Sequence, residues 1–160
     1  MLQPAPVQST YIRYLTPAQN GILASAVEWA ADSRIVETAA GIGFGLAVSQ
    51  GTNPDGCVIG GSTPVGITRA DPTIARADLA PGTSPPIDSY NLGDNAGVLV
   101  MGDIWVIAGG AVTVGSAVTF STTTGQLGLA GTTMPNARWQ TATTGAGQLA
   151  VVRLGNMAMR

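Results

Sequence analysis

From Ile104 to Ala137 the chain runs 34 residues without a charged side chain. A stretch this apolar is either a membrane-spanning helix or buried β structure, and the spacing of its residues separates the two. Val112, Val114, Val118 and Phe120 share one parity, while Thr113, Gly115 and Thr119 take the other. A period of two alternates side chains between the faces of a strand, whereas a helix would repeat near 3.6. The stretch therefore reads as strands, and no membrane span is expected. Short β-branched runs lie within and around it at Val98 to Met101, Ile104 to Ile107, Ala111 to Phe120, Gln126 to Ala130 and Gln148 to Leu154, divided by Gly, Asn and Thr. That spacing is typical of sandwiches and barrels. Gly109-Gly110 and Thr124-Gly125 suit tight hairpins, and Gly115 marks a bulge or a barrel corner. The expected fold is all-β: a compact barrel or sandwich body of short strands with Gly- and Thr-rich turns, an extended N-terminal arm and little helix. Trp105, Val112, Val118, Phe120 and Trp139 are its expected core anchors, each Trp burying roughly 200 Å².

Charge is scarce beyond that stretch as well. Seven basic and nine acidic residues make 10% of the chain, where a globular domain ordinarily has about a quarter. So few hydrated groups cannot coat an ordinary surface, which implies that much of it is covered by copies of the chain or by a larger partner. All seven basic residues are Arg, with no Lys and no His. Arg suits interfaces because its planar, weakly hydrated fork bonds carboxylates and carbonyls, although a GC-rich coding bias would give the same composition. The absence of His removes His-dependent triads, Cys–His pairs and His metal sites. A net charge of −2 and no basic cluster argue against nucleic acid as a partner. Cys57 is the lone cysteine, so it has no partner for a disulfide or a shared metal, and it reads as a small core residue. There is no Gly-x-Ser-x-Gly elbow, and Glu28 and Glu37 stand near no recognisable acid–base partner. No catalytic, cofactor-binding or metal-ligating residues are expected.

Along the chain, Pro4 and Pro6 give residues 1–10 the character of an extended arm, with a single β-rich body over 11–160. The opening MLQPAPVQST lacks a basic region followed by an apolar run, so it does not read as a secretory signal. Tyr11 to Leu15 reads as a strand. From Thr16 to Ala31 the signals conflict: Thr16-Pro17 resembles a helix start, and Ile22, Ala26, Val27 and Ala30 recur at helical spacing, but Gly21 interrupts them. The spacing predicts a helix there. Gly41-Ile42-Gly43-Phe44-Gly45 lacks the following helix and distant acid of a dinucleotide fingerprint, and Gln50 to Gly56 is turn chemistry. Glycines alternating with Ile42 and Phe44 on a closely approached strand fit better. Arg69-Ala70-Asp71 recurs as Arg76-Ala77-Asp78 and leads into the Pro-rich Pro81 to Pro86, which reads as a solvated loop.

The order of several motifs resembles the structural cement, or head decoration, proteins of tailed bacteriophages. Those motifs are Gly21-Ile22-Leu23-Ala24, Ser33-Arg34, Ile42-Gly43-Phe44-Gly45, Gly66-Ile67 and Tyr90-Asn91-Leu92-Gly93-Asp94 in the front half. Behind them come Gly102-Asp103-Ile104-Trp105-Val106, Val112 to Gly115, Ala117 to Phe120, Thr124 to Leu127 and Gly147 to Leu154. Val114-Gly115-Ser116, where Gly-Asp is more usual, and the longer Pro81 to Pro86 loop depart from the pattern. The resemblance implies a non-enzymatic protein without cofactors, made in the host cytoplasm and carried on the outer surface of the virion. Its implied partners are the major capsid protein and itself, as a homotrimer, with no nucleic acid and no membrane. Leu2, Pro4, Pro6, Val7, Tyr11, Met157 and Met159 are then the expected contacts to capsid or neighbour. A tail-tube or receptor-binding component of a phage would share the Gly- and Thr-rich β composition.

Overall fold

The computed structural model describes residues 18–71 and 89–155. Along them run ten strands: β1 Ala30–Val36, β2 Ile42–Gly43, β3 Ala47–Gln50, β4 Gly56–Ile59, β5 Pro64–Thr68, β6 Ser89–Tyr90, β7 Asn95–Ile107, β8 Ala117–Phe120, β9 Thr132–Trp139 and β10 Leu149–Leu154. No helix occurs among the described residues. The order β1-β4-β3-β5-β7, with β7 also paired to β1, closes a five-stranded barrel. β1 and β4 run parallel, and the other barrel pairs are antiparallel. Closure removes the free strand edges that would otherwise template aggregation.

β7 is too long for the barrel alone, and its second half opens a sheet in the order β7-β10-β9-β8. The changeover is a bulge. Ala30 faces Met101 and Ala31 faces Leu99, which leaves Val100 unmatched in β1. An extra residue turns the strand and switches which side chains share a face. Ala96 and Val98 accordingly lie in one buried cluster with Val36, Val48 and Cys57. Leu99 and Val100 both join the other cluster, with Ile104, Val106, Phe120, Trp139 and Val152. Full burial of each large side chain contributes roughly 1.5–3 kcal/mol.

Two small devices finish the barrel. β2 and β6 pair beside it, bringing Phe44 and Tyr90 edge to face with centroids 5.2 Å apart. The Tyr90 hydroxyl donates to the Arg69 carbonyl at 2.7 Å and accepts from the Gly97 N–H. Asn20 ties this turn to the sheet, donating from Nδ2 to the Phe44 carbonyl and accepting at Oδ1 from the Ile107 N–H. A Cβ on Gly45, whose φ is +69°, would sit 2.0 Å from Asn20 Oδ1, so the clamp requires glycine there. On the opposite flank the 121–125 turn seats on the barrel, with Ala47 donating to the Gly125 carbonyl at 2.9 Å and Gly61 to that of Thr122 at 2.8 Å.

The structure corrects several local expectations. Residues 18–29 of the expected helix are irregular and lead into β1, while Thr16 and Pro17 lie outside the described residues. The N–H groups of Gly21 and Ala24 donate to Trp105 and Asp103 of β7, so the backbone bonds that a helix needs are spent on a neighbouring strand. Val98 to Met101 and Ile104 to Ile107 fuse into β7, and only Ala117–Phe120 of the Ala111 run is strand. Val112 and Leu127 make single bridges, to Thr143 and Phe120. Val114 is 64% exposed in the preceding turn, which breaks the parity it shared with Val112. β9, containing Pro135, was not expected. The β8–β9 register slips between Ala117/Arg138 and Thr119/Thr133, and Asn136 adopts φ +54°, so the proline sits where the ladder is already broken. Tyr11 to Leu15, Arg76, Asp78 and the Pro81 to Pro86 loop lie outside the described residues.

Candidate interaction surface

Ile104, Val106, Ala150 and Val152 belong to the core. Alternation along β7 and β10 therefore sends Asp103, Trp105 and Ile107, with Leu149, Val151 and Arg153, to the opposite, outer face. The register sets these directly against one another: Ile107 with Leu149, Trp105 with Val151, Asp103 with Arg153. Trp105 is half-buried on that face, which corrects its expected place in the core. Val112, Val118, Phe120 and Trp139 are buried. Leu23 bridges Ile104, and Trp105 donates to the Ile22 carbonyl at 2.9 Å, so Ile22 extends the apolar stripe beyond β7. Ile107 remains 37% exposed and Leu149 is half-buried, whereas Val151 is buried, so the open part of the stripe is Trp105, Ile107 and Leu149. The outer face of an antiparallel sheet is ordinarily polar; here two of its three paired rows are apolar.

The third row is ionic. Asp103 is buried and receives Arg153 as a fork, Nε at 2.8 Å and an Nη at 2.9 Å, while Ser25 Oγ donates to its second oxygen at 2.9 Å. The Arg153 fork holds the Asp103 carboxyl below its ordinary range, against the opposing effect of burial. Arg153 in turn is raised by Asp103. On the far side of Arg153, in direct register, stands Arg138 of β9, which is exposed. No carboxylate among the described residues pairs with it.

The other exposed large apolar side chains are Val27 and Trp29 before β1, Ile35 in β1, Leu92 in the turn before β7, Val114 before β8 and Leu129 before β9. The Trp29 ring lies under the Arg69 guanidinium, 5.1 Å from centroid to Cζ. Glu37, which the sequence left without a role, secures the β3–β4 turn. Its carboxylate accepts from the Thr52 and Asn53 N–H groups at 2.6 and 2.9 Å and from Asn53 Nδ2. These bonds, those from the Asn53 and Thr52 backbone foremost, lower its pKa. Burial of Cys57 pushes its thiol up to about 11. The expected contacts Leu2, Pro4, Pro6, Val7, Tyr11, Met157 and Met159 lie outside the described residues. Sequence reasoning missed the outer face because its residues look like core on any count of hydropathy. Only the pairing of β7 with β10 shows which parity is buried.

A family model described as structural cement protein (E217 gp24/Pam3 gp6) matches residues 7–155. A chain from the capsid of Myoviridae phage XM1 has a similar fold, with TM-score 0.64 at 13% identity over 94% of this chain and 98% of that one. The head fiber gp8.5 N base of bacteriophage phi29 aligns with TM-score 0.43 at 14% identity, over 80% of this chain and 95% of that one. No curated protein matches.

Proposed function

Since the chain belongs to the phage structural cement protein family, we propose that it attaches to the outer surface of a phage head and clamps neighbouring major capsid subunits together, without enzymatic activity. The observation that carries this reading beyond the family is the apolar outer face of β7 and β10. It sits on a chain with 10% charged residues, and a partner that covers Trp105, Ile107 and Leu149 would remove the exposure that water penalises. A closed barrel suits a clamp, because a load-bearing joint must not slip in register. The protein acts as a homotrimer on the head, since a charge-poor surface is best satisfied by symmetric copies as well as by capsid. Its first ten residues, with Pro4 and Pro6, reach a neighbouring subunit.

The test is to image virions carrying labelled protein and to reconstruct the particle. Label on the head in three-fold clusters is the expected result. Label on the tail would replace this reading with a tail-tube or receptor-binding role, and isolated or two-fold density would remove the trimer. Deleting residues 1–10 is expected to leave the β body folded while weakening attachment, read by sedimentation with heads.

A further inference from the structure

The strongest unexplained feature of the outer face is a pair of arginines. Like charges directly opposite each other on adjacent strands destabilise a sheet, yet Arg138 of β9 stands directly against Arg153 of β10. Asp103 neutralises only Arg153, with both fork bonds. Arg34 bonds Gln50 Oε1 at 2.7 Å and lies 3.8 Å from Asp32, and Arg69 stacks on Trp29. Among the described residues, Arg138 is the arginine left without such a partner. It continues the Asp103–Arg153 row, one rung along the sheet from Trp105–Val151.

Resting on the capsid-contact reading, we infer that the outer face of β7, β10 and β9 docks an acidic, partly apolar patch of the capsid subunit, and that Arg138 receives a carboxylate from it. The planar guanidinium fork matches a carboxylate with two parallel bonds, and a partner seated on the neighbouring Trp105–Val151 row would exclude water from that pair. A bound carboxylate also relieves the repulsion between the two arginines. A nucleic acid backbone suits the face less, because phosphate binding needs several cations and this row already carries the Asp103 carboxylate.

The experiment compares the full-length protein with Arg138→Glu, Arg138→Met and Arg138→Lys, in sedimentation with heads of its phage prepared without it. Arg138 is exposed, and near-ultraviolet circular dichroism verifies the fold of each variant. Expected are binding weakened tenfold or more by Arg138→Glu, a smaller loss in Arg138→Met, and partial retention in Arg138→Lys, which keeps the charge but loses the fork. Should Arg138→Glu misfold, Arg138→Met carries the comparison. Undiminished binding by folded Arg138→Glu or Arg138→Met overturns the inference and leaves the capsid reading intact. Failure of the unaltered protein to bind heads overturns that reading, and this inference with it. Undiminished head binding combined with lost retention of duplex DNA would overturn it in favour of phosphate.

Discussion

Asp103 and Cys57 are both buried, and their surroundings move them in opposite senses. Arg153 favours the charged Asp103 and lowers its pKa, so the pair's contribution is complete above the ordinary carboxylate value, about 4. It is lost as pH falls through the depressed value. Stability measured by denaturant titration should therefore be flat from about pH 5 to 8 and decline below about 4, and Asp103→Asn should cost about 1–3 kcal/mol near neutrality and flatten that acid limb. The Cys57 thiol is favoured neutral, so stability should fall again as pH rises from about 9 towards 11. Because the thiolate is the nucleophile, alkylation of Cys57 at neutral pH should be slow in the folded protein and fast in denaturant. Labelling of the native protein at the rate of a free thiol would contradict its burial. Cys57 was legible as a core residue from composition alone. The clamp of Asn20 on Gly45 was not, since neither residue signals a partner that lies across the fold.

β7 holds both halves of the molecule together, flanked by β1 and β5 in the barrel and by β10 and residues 21–24 in the sheet. Its central amides should exchange with deuterium most slowly of all, because releasing them requires opening both cores, whereas residues 25–29 should exchange early. Deleting Val100 removes the bulge and turns every later side chain of β7 to the wrong face. That variant should not reach a folded state with the native near-ultraviolet spectrum. The strand character of β7 and β10 was readable from their β-branched runs, and that of β8 from the alternation of Val118 and Phe120 with Thr119. The 18–29 segment was not, since Ala and Val at helical spacing carry no information about whether a neighbouring strand will claim their N–H groups. Pro135 hid β9 for a similar reason: the slip in register that tolerates it is a property of two strands, and one strand's sequence does not record it.

For the molecule as a whole, the absence of His and the small number of charges leave little that titrates between pH 6 and 8 or responds to screening. Attachment is expected to rest on apolar burial, backbone bonding and a single desolvated ion pair, which salt screens much less than an exposed one. Occupancy on heads should thus stay nearly constant from pH 6 to 8 and from low salt to about 0.5 M, where the Debye length is roughly 4 Å. A steep loss with salt, read by gel densitometry of pelleted heads, would show that exposed charges dominate the contact. The all-β class was legible because alternation is local, and the body is the barrel of the two expected forms, barrel or sandwich; what chooses between them is β1 meeting both β4 and β7. Whether this body is a capsid clamp is decided by a reconstruction of the assembled virion. The account predicts density for the barrel on the outside of the head, bridging capsid subunits, with the outer face of β7 and β10 turned towards them. Density for it on the tail, or on the head with that face open to solvent, would contradict it.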